Sequence, residues 1–458
     1  AGTGRCGALR PGASRPSSWA SRPSPRPGPP ALRPAPVRAT ALWSSSWRDH
    51  ACRPTRTAKG SALPETDADA HALATLMREA SEARPDVLAD ALCRSLVDLG
   101  SIRAALYLVD YDHATLQPVA WAPRAGEPDP LPVTGSLAGR AFLTRGVQAA
   151  GTDDGQWHVW VPVRERADQM GVVEMVVADP GHVLARQAVE VGLVAGQHLH
   201  SVSRYTDTFE LVRRHRSMNL AADMQWSMLL PALSFETPLV SLAGTFEPAY
   251  EIGGDAFDYA AHDEVVDLCV LDAMGHGIGS TLASALTLGA YRFGRRQGLG
   301  LAELAQAIDE ALVREWDGER FVTGHLARLD AGTGQLEWIN AGHPPPLLVR
   351  RSKVVGELAC EPCLPLGLGT RVEEVCRTGL EPGDRVLFYT DGAVEARDGS
   401  GRQLGVAGLV EVIQAELADP RPAMQVLRRM VGHVLTHREG HHLADDVTLV
   451  LLHWHPLR

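Results

Sequence analysis

Apolar residues recur at helical spacing from Ala70 onward. Leu73, Leu76 and Met77 predict a helix over Ala70–Glu82, and Leu88, Leu92, Leu96 and Leu99 a second over Arg84–Leu99, with Gly100 as its stop. Three runs rich in Val and aromatic residues read as strands: Arg103–Asp110, Gln156–Val163 and Gly171–Ala178. Leu137–Leu143 reads as a short helix and Leu184–Tyr205 as a long one. The order helix–strand–helix–strand–strand–helix predicts a small α+β unit. A single helix over Thr206–Leu230 is expected next. Its intermittent stripe is Phe209, Val212, Leu220, Met224 and Met228, interrupted by Arg213-Arg214-His215-Arg216 and ended by Pro231. The stripe spans too few heptads to specify a coiled coil. It fits an amphipathic connector packed on the next domain, and equally a dimerising signalling helix. From Phe235 the chain is strand-rich, with two long helices over Gly279–Gly298 and Leu301–Trp316.

Composition changes the picture at one end. Residues 1–60 hold ten Arg, Lys59, ten Pro and a single acid, Asp49, without apolar periodicity. Such a segment cannot bury enough surface to offset its ordering entropy, and a disordered tail is expected. The whole chain of 458 residues carries a formal charge of −11, which argues against nucleic-acid binding through an overall positive field. With 45% apolar residues it has enough material for two or three cores. No membrane span is expected, and the seven cysteines are too few for a disulfide scaffold, so a reducing, cytoplasmic setting is the expectation.

The acids carry the chemistry. Asp255 follows two glycines in EPAYEIGGDAFDY (247–259). An apolar strand runs into Asp272 in DLCVLDAMGHG (267–277), another ends at Asp391 in RVLFYTDG (385–392), and Asp445 and Asp446 open the strand ADDVTLVLL (444–452). Asp is a poor strand residue. One such acid is an ordinary turn, but several converging acids would need a counter-charge. Hard divalent cations supply it: Mg²⁺ and Mn²⁺ take carboxylate and carbonyl oxygens. Two ions about 3.5–4 Å apart can activate a water for phosphoryl transfer.

These pieces, together with FVT (321–323), NAGHPPPLL (340–348) and LPLGL (364–368), stand in the order found in the PPM (protein phosphatase 2C-like) phosphatases. The set most resembles their bacterial SpoIIE-type branch, which dephosphorylates regulators of alternative sigma factors. The resemblance covers residues 243–452, about half the chain. It implies a β-sandwich flanked by helices and a site for two Mn²⁺ or Mg²⁺. The implied ligands are Asp255, Asp272, the backbone carbonyl of Ala273, Asp391 and Asp445, with a metal-bridging water as nucleophile. A phosphorylated anti-sigma-factor antagonist is the implied partner. The front unit resembles the GAF family in element order, which implies a sensor with a possible small ligand or a homodimer platform. The expected organisation is a tail (1–65), a GAF-like sensor (66–205), a connecting helix (206–234) and a SpoIIE-type phosphatase domain (235–458), α+β throughout. A sensor scaffold that keeps the phosphatase fold for partner binding is the alternative. No counterpart is evident for the phosphate-binding Arg of the eukaryotic relatives.

Other residues carry weaker expectations. His276 could act behind the metal ligands, although a tight glycine turn favours a structural role. His343 reads as structural. Asp258 could hold a water behind the ligands or a third ion, and a surface or structural role is equally expected. His158 reads as packing with Trp157 and Trp160. Asp446 is expected on the opposite side of its strand from Asp445 unless the register is off by one. Cys360, Cys363 and Cys376 read as loop thiols.

Overall fold

A computed structural model of the chain describes residues 67–98, 100–124, 126–179, 182–229, 232–247, 253–438 and 446–455. The Arg/Pro-rich tail and Asp445 lie outside the described residues.

The front unit begins with α1 (Asp67–Glu82), a 3₁₀ turn at Pro85–Val87 and α2 (Leu88–Asp98). Pro85 is tolerated because it sits in the first turn, where no intrahelical donor is lost. There follow β1 (Arg103–Val109), β2 (Thr115–Ala122), β3 (Leu131–Pro132), α3 (Leu137–Thr144), β4 (Gln148–Gly151), β5 (Trp157–Glu165), β6 (Asp168–Val177) and α4 (His182–Ser203). The strands form one antiparallel sheet in the order β3-β2-β1-β6-β5-β4. Leu76, Leu92, Leu106, Val161 and Leu199 build the core under α1, α2 and α4, and Phe142 of α3 packs with Tyr107 and Trp160 on the other face. The pattern of the sequence missed β2, β3 and β4. They flank the centre of the sheet, where the apolar alternation is weak. Pro118 interrupts β2 at a shift of register, the kind of irregularity where a strand accepts proline. His158 does more than pack: its Nδ1 lies 2.6 Å from Glu174, which Arg103 also reaches.

The expected single connector helix is two helices, α5 (Thr208–Arg213) and α6 (Leu220–Met228). The basic run between them has acids to meet. Arg214 pairs with Asp223, Arg216 with Asp112, and His215 lies 3.4 Å from Asp110. Asn219 then caps α6 by accepting from the Ala222 N–H at 2.8 Å. These local pairings outweigh a continued helix, which would leave four consecutive basic side chains to repel one another.

The back half has β7 (Ser234–Glu236), β8 (Val240–Glu247), β9 (Asp255–His262), β10 (Val265–Ala273), α7 (Ile278–Arg296) and α8 (Leu301–Trp316). Then come β11 (Val322–Asp330), β12 (Gln335–Ala341), β13 (Leu347–Arg350), β14 (Lys353–Glu357), β15 (Cys376–Gly379) and β16 (Arg385–Tyr389). It ends with α9 (Gly392–Glu395), α10 (Gly405–Glu416), α11 (Ala423–His437) and β17 (Val447–Trp454). Two antiparallel sheets result, β15-β12-β11-β10-β9 and β14-β13-β16-β17-β8-β7. Val270, Phe257, Phe388 and Val450 share the core between them; α7 and α8 cover the first sheet, α10 and α11 the second. Gly244 has a specific task, since a side chain there would collide with the Phe257 ring from the facing sheet. This is the expected helix-flanked β-sandwich.

One cysteine expectation is overturned. Cys360 and Cys376 form a disulfide, while Cys363 is free. The loop before β15 returns to the edge of its sheet and brings the two Cα atoms to 5.8 Å, a separation sequence spacing could not reveal. Among the described residues no helix is long and apolar enough to cross a membrane.

Candidate metal centre

β9 and β10 pair so that Asp255 stands directly opposite Asp272. Side chains directly opposite on paired strands share a face, and like charges so placed repel. Asp255 is buried, Asp272 half-buried. A third acid closes in from the other sheet: Asp446, buried just before β17, accepts a hydrogen bond from the Asp255 N–H at 3.3 Å. Burial first, then the charges of Asp272 and Asp446, push the Asp255 carboxyl well above the usual carboxylate range. Asp446 thus faces Asp255, as the sequence allowed for a register shifted by one; Asp445 lies outside the described residues.

The backbone around Asp255 is held at three successive carbonyls. Ser280 donates to Gly253 O, Ser284 to Gly254 O, and the Gln225 amide to Asp255 O at 2.5 Å. Gly253 is required here: a side chain would strike Thr281 and approach the Ala221 backbone of α6. At Gly254 a Cβ would stand 3.4 Å from the Ala273 carbonyl oxygen and 3.5 Å from that of Gly275. Two carbonyls therefore flank the acids. From the second sheet, Thr390 donates to Asp255 Oδ2 at 2.7 Å, and the Thr448 N–H donates to the Thr390 hydroxyl at 2.9 Å. Asp391, next in the chain, begins α9, and its carboxylate makes no hydrogen bond among the described residues.

Thr323, paired with Asp272 across β10 and β11, bonds His343 Nδ1 at 3.0 Å. Asn340 clasps His343 through both its backbone groups, and burial draws the imidazole down to about 3. His343 is a neutral brace, as expected. His276 is exposed in its glycine turn and makes no hydrogen bond among the described residues. Asp258 faces the other side of β9. It is fully buried against Arg292, at 2.6 Å, and Arg295, at 3.8 Å, both on α7, which fits a structural anchor.

The donor set is all oxygen, carboxylates with backbone carbonyls beside them, which fits a hard divalent cation. Among the described residues, no three His, Cys, Asp or Glu side chains close on a single point. Sequence reasoning missed Gln225, Thr323, Thr390 and Thr448. Thr390 and Thr323 stood inside quoted motifs; nothing near Gln225 announced it.

Residues 262–455 match the family model described as Stage II sporulation protein E (SpoIIE). Phosphoserine phosphatase RsbP of Bacillus subtilis (strain 168) is 23% identical over 244 residues, 52% of this chain and 57% of its own length. Phosphoserine phosphatase RsbU of the same organism is 22% identical over 237 residues, 51% of this chain and 69% of its own. Among solved structures, the RsbU and RsbW domains of Rv1364c from Mycobacterium tuberculosis align at a TM-score of 0.42 with 27% identity, covering 49% of this chain and 63% of that one. The chain thus spans a little over half the length of the first of these relatives.

Proposed function

We propose that this chain, whose residues 262–455 form a SpoIIE-type domain of the PPM phosphatases, hydrolyses a phosphoserine or phosphothreonine on a regulatory partner protein in a metal-dependent reaction. The observation that carries this reading is the register that sets Asp255 against Asp272, with Asp446 beside them. Acids arranged so are costly to the fold unless a cation joins them. Asp255, Asp272, Asp391, the Ala273 carbonyl and one of Asp445 or Asp446 would hold two Mn²⁺ or Mg²⁺. When bound, such ions supply Lewis-acid activation of water and of the phosphoryl oxygens.

The chain's own residues do the rest. Thr390 fixes one Asp255 oxygen, Gln225 and the two α7 serines fix its backbone, and the sandwich core excludes water from behind. Arg320 supplies the missing phosphate contact in this reading. A side chain at Gly279, in the first turn of α7, would run into its guanidinium, which has no acceptor among the described residues. An unpaired guanidinium beside the DAMGHG turn is suited to grip a phosphate. The substrate class follows from the named relatives, both phosphoserine phosphatases. A phosphorylated anti-sigma-factor antagonist is the partner that the family resemblance implies. Residues 66–205 act in this reading as a GAF-like sensor, with α5 and α6 as the link, since α6 touches Asp255 directly.

The test is hydrolysis of p-nitrophenyl phosphate and of a phosphorylated antagonist protein by the full chain, with and without Mn²⁺. Turnover that requires Mn²⁺ and disappears in Asp391→Asn is expected. Mn²⁺ binding by calorimetry with no turnover on either substrate would favour the scaffold instead.

A further inference from the structure

A cavity of about 220 Å³ lies where the front sheet, α5, α6 and α11 meet. Its walls include Asp168, His113, Phe209, Trp226 and Arg428. The acids at the metal centre play no part in it. Arg428 reaches His113 Nε2 with Nη2 at 3.1 Å and lies over the Phe142 ring, but its Nε and Nη1 are buried with no acceptor among the described residues. Because Arg428 can only donate, His113 Nε2 must accept, which puts the imidazole proton on Nδ1. That Nδ1 is also buried without a partner among the described residues. Three buried N–H donors therefore lack acceptors in one cluster, an arrangement that costs free energy at each unless something accepts from them.

The charges around the cavity have the same sign of imbalance. Arg204, Arg213 and Arg428 line it against Asp168 and Glu210. Glu210 is engaged by the Tyr111 hydroxyl and lies 3.7 Å from Arg213. Asp168 makes no side-chain hydrogen bond among the described residues, and burial lifts its carboxyl despite Arg213, His200 and Arg428. Burial without a full counter-charge draws Arg428 down to about 9.

We propose that this cavity is a binding site for a small organic anion, a carboxylate or a phosphate, gripped by Arg428 and the His113 N–H against the aromatic wall of Phe209 and Trp226. The volume admits a compact metabolite and excludes a peptide or nucleic acid. Trp226 follows Gln225 in α6, so the anion would bear on the helix that holds the Asp255 carbonyl. The proposal stands apart from the phosphatase reading, because binding is measured without turnover.

The experiment is calorimetric titration of the EDTA-treated full chain with succinate and, separately, with inorganic phosphate, at matched ionic strength. Saturable binding of at least one anion is expected, and the two arms distinguish carboxylate from phosphate chemistry. Arg428→Met should weaken it tenfold or more, while Arg78→Met, on the exposed face of α1, should leave it unchanged. Asp168→Asn keeps the guanidinium and removes the opposing charge, and should tighten binding several-fold. Absence of saturable binding by both anions would overturn the proposal. So would equal affinity in a folded Arg428→Met chain, or an unchanged affinity in Asp168→Asn.

Discussion

The side chain of Gln225, on a nine-residue helix ahead of the sandwich, donates to the backbone carbonyl of Asp255 at 2.5 Å, both groups being buried. A separate helix thus sets the position of the residue most central to the acidic cluster, both lying ahead of the SpoIIE match that begins at residue 262. Replacing Gln225 with Leu leaves that carbonyl without its donor, at a cost of about 1–2 kcal/mol. The Mn²⁺ concentration for half-maximal turnover should rise about tenfold, a 1.4 kcal/mol effect. The maximal rate at saturating Mn²⁺ should change less, and a Mn²⁺ titration separates the two.

Asp272→Asn removes one of two acids directly opposed on paired strands. The metal-free chain should become more stable by up to about 1 kcal/mol. Its melting temperature in EDTA should rise by about 2–4 °C, while the further rise produced by Mn²⁺ in the parent chain is lost. A lower melting temperature in EDTA would show that the two acids do not repel in the folded chain.

Asp258→Asn should do the reverse. It leaves Arg292 and Arg295 without their buried partner, and Arg292 is itself about a quarter exposed, so the loss is about 2 kcal/mol, below that of a fully buried pair. Denaturant unfolding should report it. The half-saturating Mn²⁺ concentration should stay within about twofold of the parent value, since Asp258 faces α7.

Arg320→Met tests the phosphate contact. Losing a charge-assisted hydrogen bond of about 1.5–3 kcal/mol should raise KM for the phosphoprotein by at least tenfold. The Mn²⁺ requirement should not move. Arg320→Lys, which keeps the charge and loses the fork, should recover part of the loss.

His325 sets a pH dependence. Its Nε2–H donates to the Pro344 carbonyl at 2.8 Å, and burial draws its pKa down to about 4 from the ordinary 6.5. The folded chain keeps this ring neutral while the unfolded chain protonates it. Its contribution is therefore present above pH 6.5 and is lost as the pH falls from 6.5 toward 4, by about 1.4 kcal/mol per unit. Stability measured by urea unfolding should decline over that window, and His325→Gln should flatten the slope. His343 and His453, each drawn to about 3 by burial, would keep part of it.

The strands of the back half were legible as apolar runs, with acids at their ends or beside glycines, and their arrangement as a sandwich came from the family resemblance. Asp272 and Asp391 could be singled out at the ends of such runs, and Asp255 by the two glycines before it. What the pattern could not supply was pairing. β3 and β4 escaped notice because edge strands need little apolar alternation, and β2, inside the sheet, because Pro118 and a shift of register break its pattern; the connector was read as one helix because Asp110 and Asp112, which meet part of its basic run, lie far off in sequence on the turn after β1. The direction of Asp446 was left open for a related reason: alternation along a strand says nothing about a residue just before the strand begins.

Periodicity and residue chemistry along the chain therefore determined the α+β class, the longer helices and central strands and the candidate acids, all of which depend on local spacing. Tertiary structure alone decided that Asp255 meets Asp272 in register, that Gln225 holds Asp255 from another segment, that Cys360 joins Cys376, and that Arg428 and His113 close one cavity. Each of these depends on contacts between residues distant in sequence, whose geometry is set only when the sheets and helices pack.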